Sequence, residues 1–167
     1  MLNRYKNYIT EVSGFPVKGV NFKDISPLLA DSQIFDECTQ ELGLLLDEIP
    51  DYWIGIDARG FLFASALSLH FGGGVVMCRK KGKLPKPTAN YSYQTEYSSD
   101  ELSMHFGSGT AVIVDDVLAT GGTLKASNYL AEIAGYDVID NLVLMDLLYL
   151  TKIKTFDLEV KSLLQYE

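Results

Sequence analysis

This chain is poor in cysteine, proline and positive charge, and each shortage excludes a class of protein. Its two cysteines, Cys38 and Cys78, stand far apart and neither belongs to a C-x-x-C pair. That argues against a disulfide framework or a structural zinc site and favours a reducing, cytoplasmic setting. Five prolines among 167 residues are too few for a collagen-like or disordered chain. Lys and Arg number 14 against 22 Asp and Glu, a net charge of -8. Such a balance repels a phosphate backbone and speaks against nucleic acid as a partner. No run of eighteen apolar residues occurs, and the opening Met-Leu-Asn-Arg-Tyr-Lys-Asn-Tyr has no apolar signal core, so neither a membrane span nor a secretory leader is expected. What is present is an ordinary globular composition, 47% hydrophobic and 22% charged, in a length that suits one domain over residues 1–167 with no second module.

Hydrophobic spacing supplies the fold class. Residues 13–27 carry two glycines and two prolines and read as an ordered surface loop, made unusually apolar by Phe15, Val20, Phe22 and Ile25. Asp31 is a candidate N-cap for a helix whose apolar positions Ile34, Cys38, Leu42, Leu45 and Ile49 recur every three to four residues up to Pro50. Apolar runs at 52–56 and 75–78 flank a segment of helical length at 61–71. A second unit follows, with a strand at 111–114, a helix at 124–134 and a long strand at 138–148. The alternation predicts an α/β fold, a parallel twisted sheet with helices on both faces. Residues 80–110 are polar and rich in Tyr and Ser, the mark of a functional lid or a hairpin insertion. Tyr91, Tyr93 and Tyr97 alternate there as one hairpin face would, and residues 158–167 read as an edge strand.

The distribution of charge is more informative than its sum. From residue 58 to 95 there is no Asp or Glu, while Arg59, Arg79, Lys80, Lys81, Lys83 and Lys86 all fall inside. An island of this kind is either a solvated basic loop or the site of a small polyanion. Asp57-Ala58-Arg59-Gly60 follows an apolar strand and opens a helix, and reads either as a helix start with an exposed arginine or as free amides and an arginine turned to a ligand at the carboxyl end of a parallel sheet. Val112 to Thr123 is the strongest segment. A buried strand delivers Asp115 and Asp116, and a Thr-Gly-Gly-Thr turn then starts a helix. Glycine lets the backbone approach a ligand, and exposed N–H groups with threonine hydroxyls surround a phosphate. The paired acids suit sugar hydroxyls or a magnesium ion. A sugar phosphate meets both requirements, and neither a Walker loop nor a G-x-G-x-x-G fingerprint is present.

Those residues resemble the phosphoribosyl pyrophosphate (PRPP) signature of the type I phosphoribosyltransferases. Further segments narrow the resemblance to the adenine-specific members of that family. They are Phe15-Pro16 with Gly19 to Pro27, Asp57 to Phe63, Arg79-Lys80-Lys81-Gly82-Lys83-Leu84-Pro85, Glu96-Tyr97 and the ending Ser162 to Glu167. The resemblance runs from about Phe15 to the end of the chain.

It implies a single phosphoribosyltransferase domain that converts adenine and PRPP into AMP and pyrophosphate in purine salvage. The cofactor is Mg2+, held mainly through PRPP. Asp115 and Asp116 would hold the ribose hydroxyls, and Ala119, Thr120, Gly121, Gly122 and Thr123 the 5'-phosphate. Arg59, Arg79 and Lys83 would take the pyrophosphate, the basic residues reaching across the interface of a homodimer. Phe22 and Val117 would sandwich the purine while backbone groups of Asn21 and Lys23 read its edge. Glu96 and Tyr97 would ride on a closing loop, Glu96 as the acid-base group and Tyr97 against PRPP. By its position alone Glu96 is an ordinary loop glutamate.

The chain departs from the family pattern at Thr95 and Ser98 around the Glu-Tyr pair, at Ala64 where glycine is common, and at Lys23 where arginine is frequent. None of these removes charge from the phosphate sites. His70 and His105 lack partners at metal-ligand spacing, and Trp53 reads as core or interface packing. Two rival readings are a purine transferase acting on hypoxanthine, guanine or xanthine, and a PRPP-sensing regulator without transfer.

Overall fold

The computed structural model describes residues 2–94, 99–150 and 158–167. A short 3-10 helix, Leu2–Tyr8, leads into β1 (Thr10–Ser13), which pairs antiparallel with β2 (Asn21–Asp24) so that Val12 faces Phe22. Part of the stretch that reads as loop is therefore a small ribbon. Gly14 and Gly19, at φ of 75° and 96°, make the left-handed bends between its strands, and the Gly14 amide donates to the Val20 carbonyl at 2.7 Å. Four residues per strand are too few for alternation to stand out in sequence.

The helices α1 (Ser26–Ala30) and α2 (Ser32–Gly43) follow. Asp31 caps α2 as its residue type demands, its carboxylate accepting from the amides of Gln33 and Ile34 at 3.2 and 3.1 Å. Apolar spacing carries the expected helix to Pro50, but α2 ends at Gly43, where the ring of Phe71 fills the space a side chain would need. Ile49 is accordingly exposed.

The remaining elements are β3 (Tyr52–Ile56), α3 (Gly60–Phe71), β4 (Gly74–Lys80), β5 (Ala89–Gln94), β6 (Ser99–Met104), β7 (Gly109–Leu118), α4 (Gly122–Ala134), β8 (Tyr136–Leu147) and β9 (Lys161–Tyr166). Seven strands form one sheet in the order β5-β6-β4-β3-β7-β8-β9. β4, β3, β7, β8 and β9 run parallel, and β5–β6 is an antiparallel hairpin added to β4. Of the segment expected as a lid or hairpin insertion, the described residues include the antiparallel pair β5 and β6, and the expected edge strand is β9.

Alternate residues of the central strands serve two cores, which is why these strands read as unbroken apolar runs. Trp53, Val112, Val114, Leu142 and Leu144 pack against α1, α2 and α3. Ile54, Ile113 and Val143 pack with α4 through Leu124, Leu130 and Ala134. Trp53 is fully buried, its indole N–H donating to the Gly72 carbonyl at 2.7 Å. Burial in these cores pushes the Cys38 and Cys78 thiols up to about 12. His70 pairs with Asp36 at 2.9 Å, and His105 Nδ1 lies 3.1 Å from the Pro87 carbonyl oxygen. Among the described residues no helix is long and apolar enough to cross a membrane.

Candidate active site

Parallel order sends the segments after β3, β4 and β7 out of one edge of the sheet, where a ligand meets loop residues from all three. After β3, Arg59 occupies the N-cap position of α3 without capping it, which leaves its guanidinium free to reach outward. Gly60 makes this approach possible. A Cβ there would lie 2.5 Å from the Val114 carbonyl oxygen and 3.2 Å from Asp115 Oδ1, so any side chain would push the start of α3 away from β7.

β7 runs through Leu118, beyond the run 111–114 that apolarity marks, so Asp115 and Asp116 belong to the strand itself. The Asp116 amide donates to Asp115 Oδ1 at 2.9 Å. Asp116 is 2% exposed, and Arg59 Nε stands 3.1 Å from its Oδ2. The contact lies off the N–H axis, because that buried oxygen accepts no hydrogen bond. Burial first, then the neighbouring Asp116 charge, holds the Asp115 carboxyl well above the usual carboxylate range. Burial also raises Asp116, against the opposing pull of Arg59. Two acids placed this way favour a ligand that neutralises or hydrogen-bonds them.

Beyond β7 the chain turns through Ala119, Thr120 and Gly121, with Gly121 at φ 82°, a conformation that costs other residues about 1 kcal/mol. α4 starts at Gly122 with no side-chain cap, so its first amides are donors without helical partners. They border a hollow of about 160 Å³ lined by Asp115, Val117, Leu118 and residues 119–124. Uncapped amides and two threonine hydroxyls give the hollow the donors that an anion requires. Thr123 is held from two sides. Its carbonyl accepts from Ser127 Oγ at 2.9 Å, and its hydroxyl lies 3.3 Å from the Tyr93 hydroxyl.

A second, larger cleft of about 530 Å³ lies beside the ribbon, walled by Val12, Phe15, Phe22, Ile25 and Leu29, with Asp24, Ser26 and Arg59 supplying polarity. Phe15 meets Phe22 edge-on with centroids 5.2 Å apart, and the Arg59 guanidinium lies 4.9 Å from the Phe22 ring centre. Apolar walls with a few polar groups suit a flat heteroaromatic ring. Asn21 is exposed at the ribbon's turn. The Lys23 side chain is engaged elsewhere, with Glu11 at 2.6 Å and over the Tyr166 ring at 4.3 Å, while its carbonyl accepts from Arg59 Nη1 at 3.4 Å. Val117 lines the anion hollow, and Phe22 the adjoining cleft. Arg59 lies between the cleft and the end of β7, touching Phe22 on one side and Asp116 on the other.

The basic island divides in two. Arg79 pairs with Asp57 at 3.2 Å and Lys81 with Glu101 at 2.9 Å. Lys80, Lys83 and Lys86 are exposed, with no acidic partner among the described residues. Glu96 and Tyr97 lie outside the described residues. Two acids take roles that the motifs containing them do not announce. Asp57 orients Arg79, and Asp24 faces the cleft, held below the usual range by hydrogen bonds from the Ser26 hydroxyl and amide. The signal for Asp57 is its place two residues before Arg59.

A family profile for a phosphoribosyl transferase domain matches residues 30–152. An adenine phosphoribosyltransferase of Bdellovibrio bacteriovorus is 42% identical over 162 residues, covering 96% of this chain and 98% of that protein. The chain belongs to the adenine phosphoribosyltransferase family. It has the type I phosphoribosyltransferase fold, as superposition on solved family members demonstrates. The adenine phosphoribosyltransferase of Thermoanaerobacter pseudethanolicus matches at a TM-score of 0.92 and 39% identity, over 99% of this chain and all of that one. The enzyme of Saccharomyces cerevisiae matches at 0.90 and 29% identity, over 97% of each chain, and was solved with adenine and an iminoaltritol bisphosphate. In this adenine phosphoribosyltransferase family member, the anion hollow, the acid pair and the aromatic cleft all lie within the aligned region.

Proposed function

We propose that all 167 residues form one catalytic domain that transfers the phosphoribosyl group of PRPP to adenine, releasing pyrophosphate and leaving AMP. The observation that carries this reading is the Arg59–Asp116 pair, which ties an arginine lining the aromatic cleft to the strand end that leads into the anion hollow. The 5'-phosphate takes the amides and hydroxyls of residues 119–123, and Asp115 and Asp116 accept hydrogen bonds from the ribose hydroxyls. The purine lies on Phe22 with the backbone of Asn21 and Lys23 at its edge, and Val117 borders the sugar end. The pyrophosphate faces Arg59, Arg79 and Lys83.

In the reaction a purine ring nitrogen bonds to the anomeric carbon as the carbon–oxygen bond to pyrophosphate breaks. The electron pair leaves with pyrophosphate, and the carbon passes through an oxocarbenium-like state. The chain's part is chiefly positioning and charge. Arg59 and the basic residues favour the departing anion, while the acid pair lies beside the carbon on which positive charge grows. Glu96 is assigned, through the family resemblance, the proton shed by the purine nitrogen, and Tyr97 a contact to PRPP.

The donors present fit a magnesium ion that arrives with PRPP. Asp115 offers a hard, partly exposed carboxylate, its first neighbour is another acid, and magnesium takes one or two protein carboxylates with phosphate oxygens and waters. Once bound, it would offset the negative charge of pyrophosphate. A cytoplasmic homodimer completes the reading, supported by exposed Leu62, Leu69, Val75 and Met77 on α3 and β4.

A product assay tests the function. With Mg2+ and PRPP, the protein is given adenine, hypoxanthine or guanine separately, and nucleotide and pyrophosphate are followed. AMP from adenine alone is expected. Preference for a 6-oxopurine would overturn the base assignment, and PRPP binding without product would favour a sensor.

A further inference from the structure

We propose that Tyr93, on the hairpin strand β5, is a positioning residue for the anion hollow, its phenol donating to the Thr123 hydroxyl so that Thr123 turns its own proton onto the bound phosphate. This rests on the reading of residues 119–123 as the 5'-phosphate site. The two hydroxyl oxygens are 3.3 Å apart, and they come from elements thirty residues apart in the chain. The contact is held by packing on both sides. Tyr93 is part of the α4-side core, and its neighbour Tyr91 lies against Tyr129 of α4 with ring centres 5.7 Å apart. On the other side, the Thr123 carbonyl accepts from the buried Ser127 hydroxyl at 2.9 Å, and Ser127 Oγ in turn lies 3.5 Å from Cys78 Sγ.

Chemistry decides the direction of the chain of hydrogen bonds. A phosphate dianion offers acceptors alone, so a threonine hydroxyl that binds it must donate, and its oxygen is left to accept. Tyr93 is the donor in reach. Burial, with the charge of Asp100, pushes its phenol above its ordinary value, so the proton stays on the ring oxygen through the neutral range. A hydroxyl that accepts from one neighbour becomes a better donor to the next. At 3.3 Å the pair has room to shorten by about half an ångström toward the usual hydroxyl–hydroxyl distance when an anion polarises Thr123. Without the phenol, the Thr123 hydroxyl rotates freely and delivers its proton to phosphate for only part of the time.

The test is a double-mutant cycle of Tyr93→Phe and Thr123→Val, read as KM and kcat for PRPP and for adenine and as melting temperature. Tyr93→Phe keeps the ring and its packing. It is expected to raise the KM for PRPP roughly three- to tenfold, the loss of one neutral hydrogen bond, while the KM for adenine and the melting temperature hold. In the Thr123→Val background the same change should have no further effect. An unchanged KM for PRPP in Tyr93→Phe, or additive effects in the double variant, overturns the proposal while leaving the phosphate site intact. Equal loss toward both substrates with a lowered melting temperature also overturns it, by showing a structural role. If Thr123→Val itself leaves PRPP binding untouched, the assignment of the hollow fails, and this proposal fails with it.

Discussion

Arg59 and Asp116 meet at 3.1 Å across the seam between α3 and β7, one a third exposed and the other almost wholly buried. Each keeps the other in place, and the pair divides stability from chemistry in a way that substitutions can separate. Arg59→Gln leaves a buried carboxylate without its counter-charge. The folded state should lose about 1–2 kcal/mol, less than a fully buried pair because Arg59 is partly solvated. Turnover should fall about a hundredfold as the pyrophosphate loses a charge partner. Adding Asp116→Asn should restore the melting temperature and leave turnover low. Thermal unfolding and steady-state kinetics on the three variants check both statements.

Asp115→Asn should raise the melting temperature of the free protein by about 2–4 °C at neutral pH. The raised carboxyl is protonated in both folded and unfolded chains below the ordinary carboxylate value near 4, so it imposes no penalty there. As pH climbs above that value the unfolded chain ionises first, and folding loses stability until the folded group ionises too. The gap between variant and wild type should therefore open as pH rises above about 4 and close below it. Turnover should fall in the same variant, because an amide is a poorer acceptor for ribose hydroxyls. Melting scans from pH 3.5 to 8 decide the point.

Phe22→Ala should act on one substrate. Loss of a stacking face costs about 1–3 kcal/mol per base, so the KM for adenine should rise by roughly one order of magnitude or more while that for PRPP changes little. An equal rise in both would show that the ribbon's collapse, and not the ring, is being measured.

The turn glycines make a matched pair. Gly121 sits at φ 82°, and alanine there should cost about 1 kcal/mol, which is about 2–4 °C in a chain of this size. Gly122 has ordinary helical geometry, and a Cβ there would meet Thr120 Oγ1 at 4.0 Å. Gly122→Ala should keep its melting temperature. Both variants should weaken PRPP, measured by calorimetric titration, because both change the wall of the hollow.

The parts of the fold that sequence reveals are those governed by local rules. Asp31 announces α2 because a carboxylate at the N-cap satisfies amides two and three residues away. The sheet is legible because strands buried on both faces are apolar at every position. The end of α2 is not legible. Ile49 keeps the helical spacing, but after Gly43 the amides of Leu45 and Leu46 turn back to the carbonyls of Leu42 and Gly43 at 3.2 Å, a tightening that no apolar period announces. The same division holds at the site. The acids and glycines of residues 115–122 can be read as a ligand turn, since strand, carboxylates and helix start follow in order. The pairing of Arg59 with Asp116, of Asp57 with Arg79 and of Tyr93 with Thr123 depends on register between distant strands.

The β5–β6 hairpin joins the rest of the sheet through two residue pairs, Arg79 with Ser103 and Lys80 with Leu102. A second seam fixes it to α4, where Tyr91 lies against Tyr129 and the Tyr93 hydroxyl meets that of Thr123. Its own six residue pairs run from Ala89 with Met104 to Gln94 with Ser99. One ribbon therefore braces both the strand carrying Arg79, which pairs with Asp57, and the helix whose first turn borders the anion hollow, so two sides of the site share a single support.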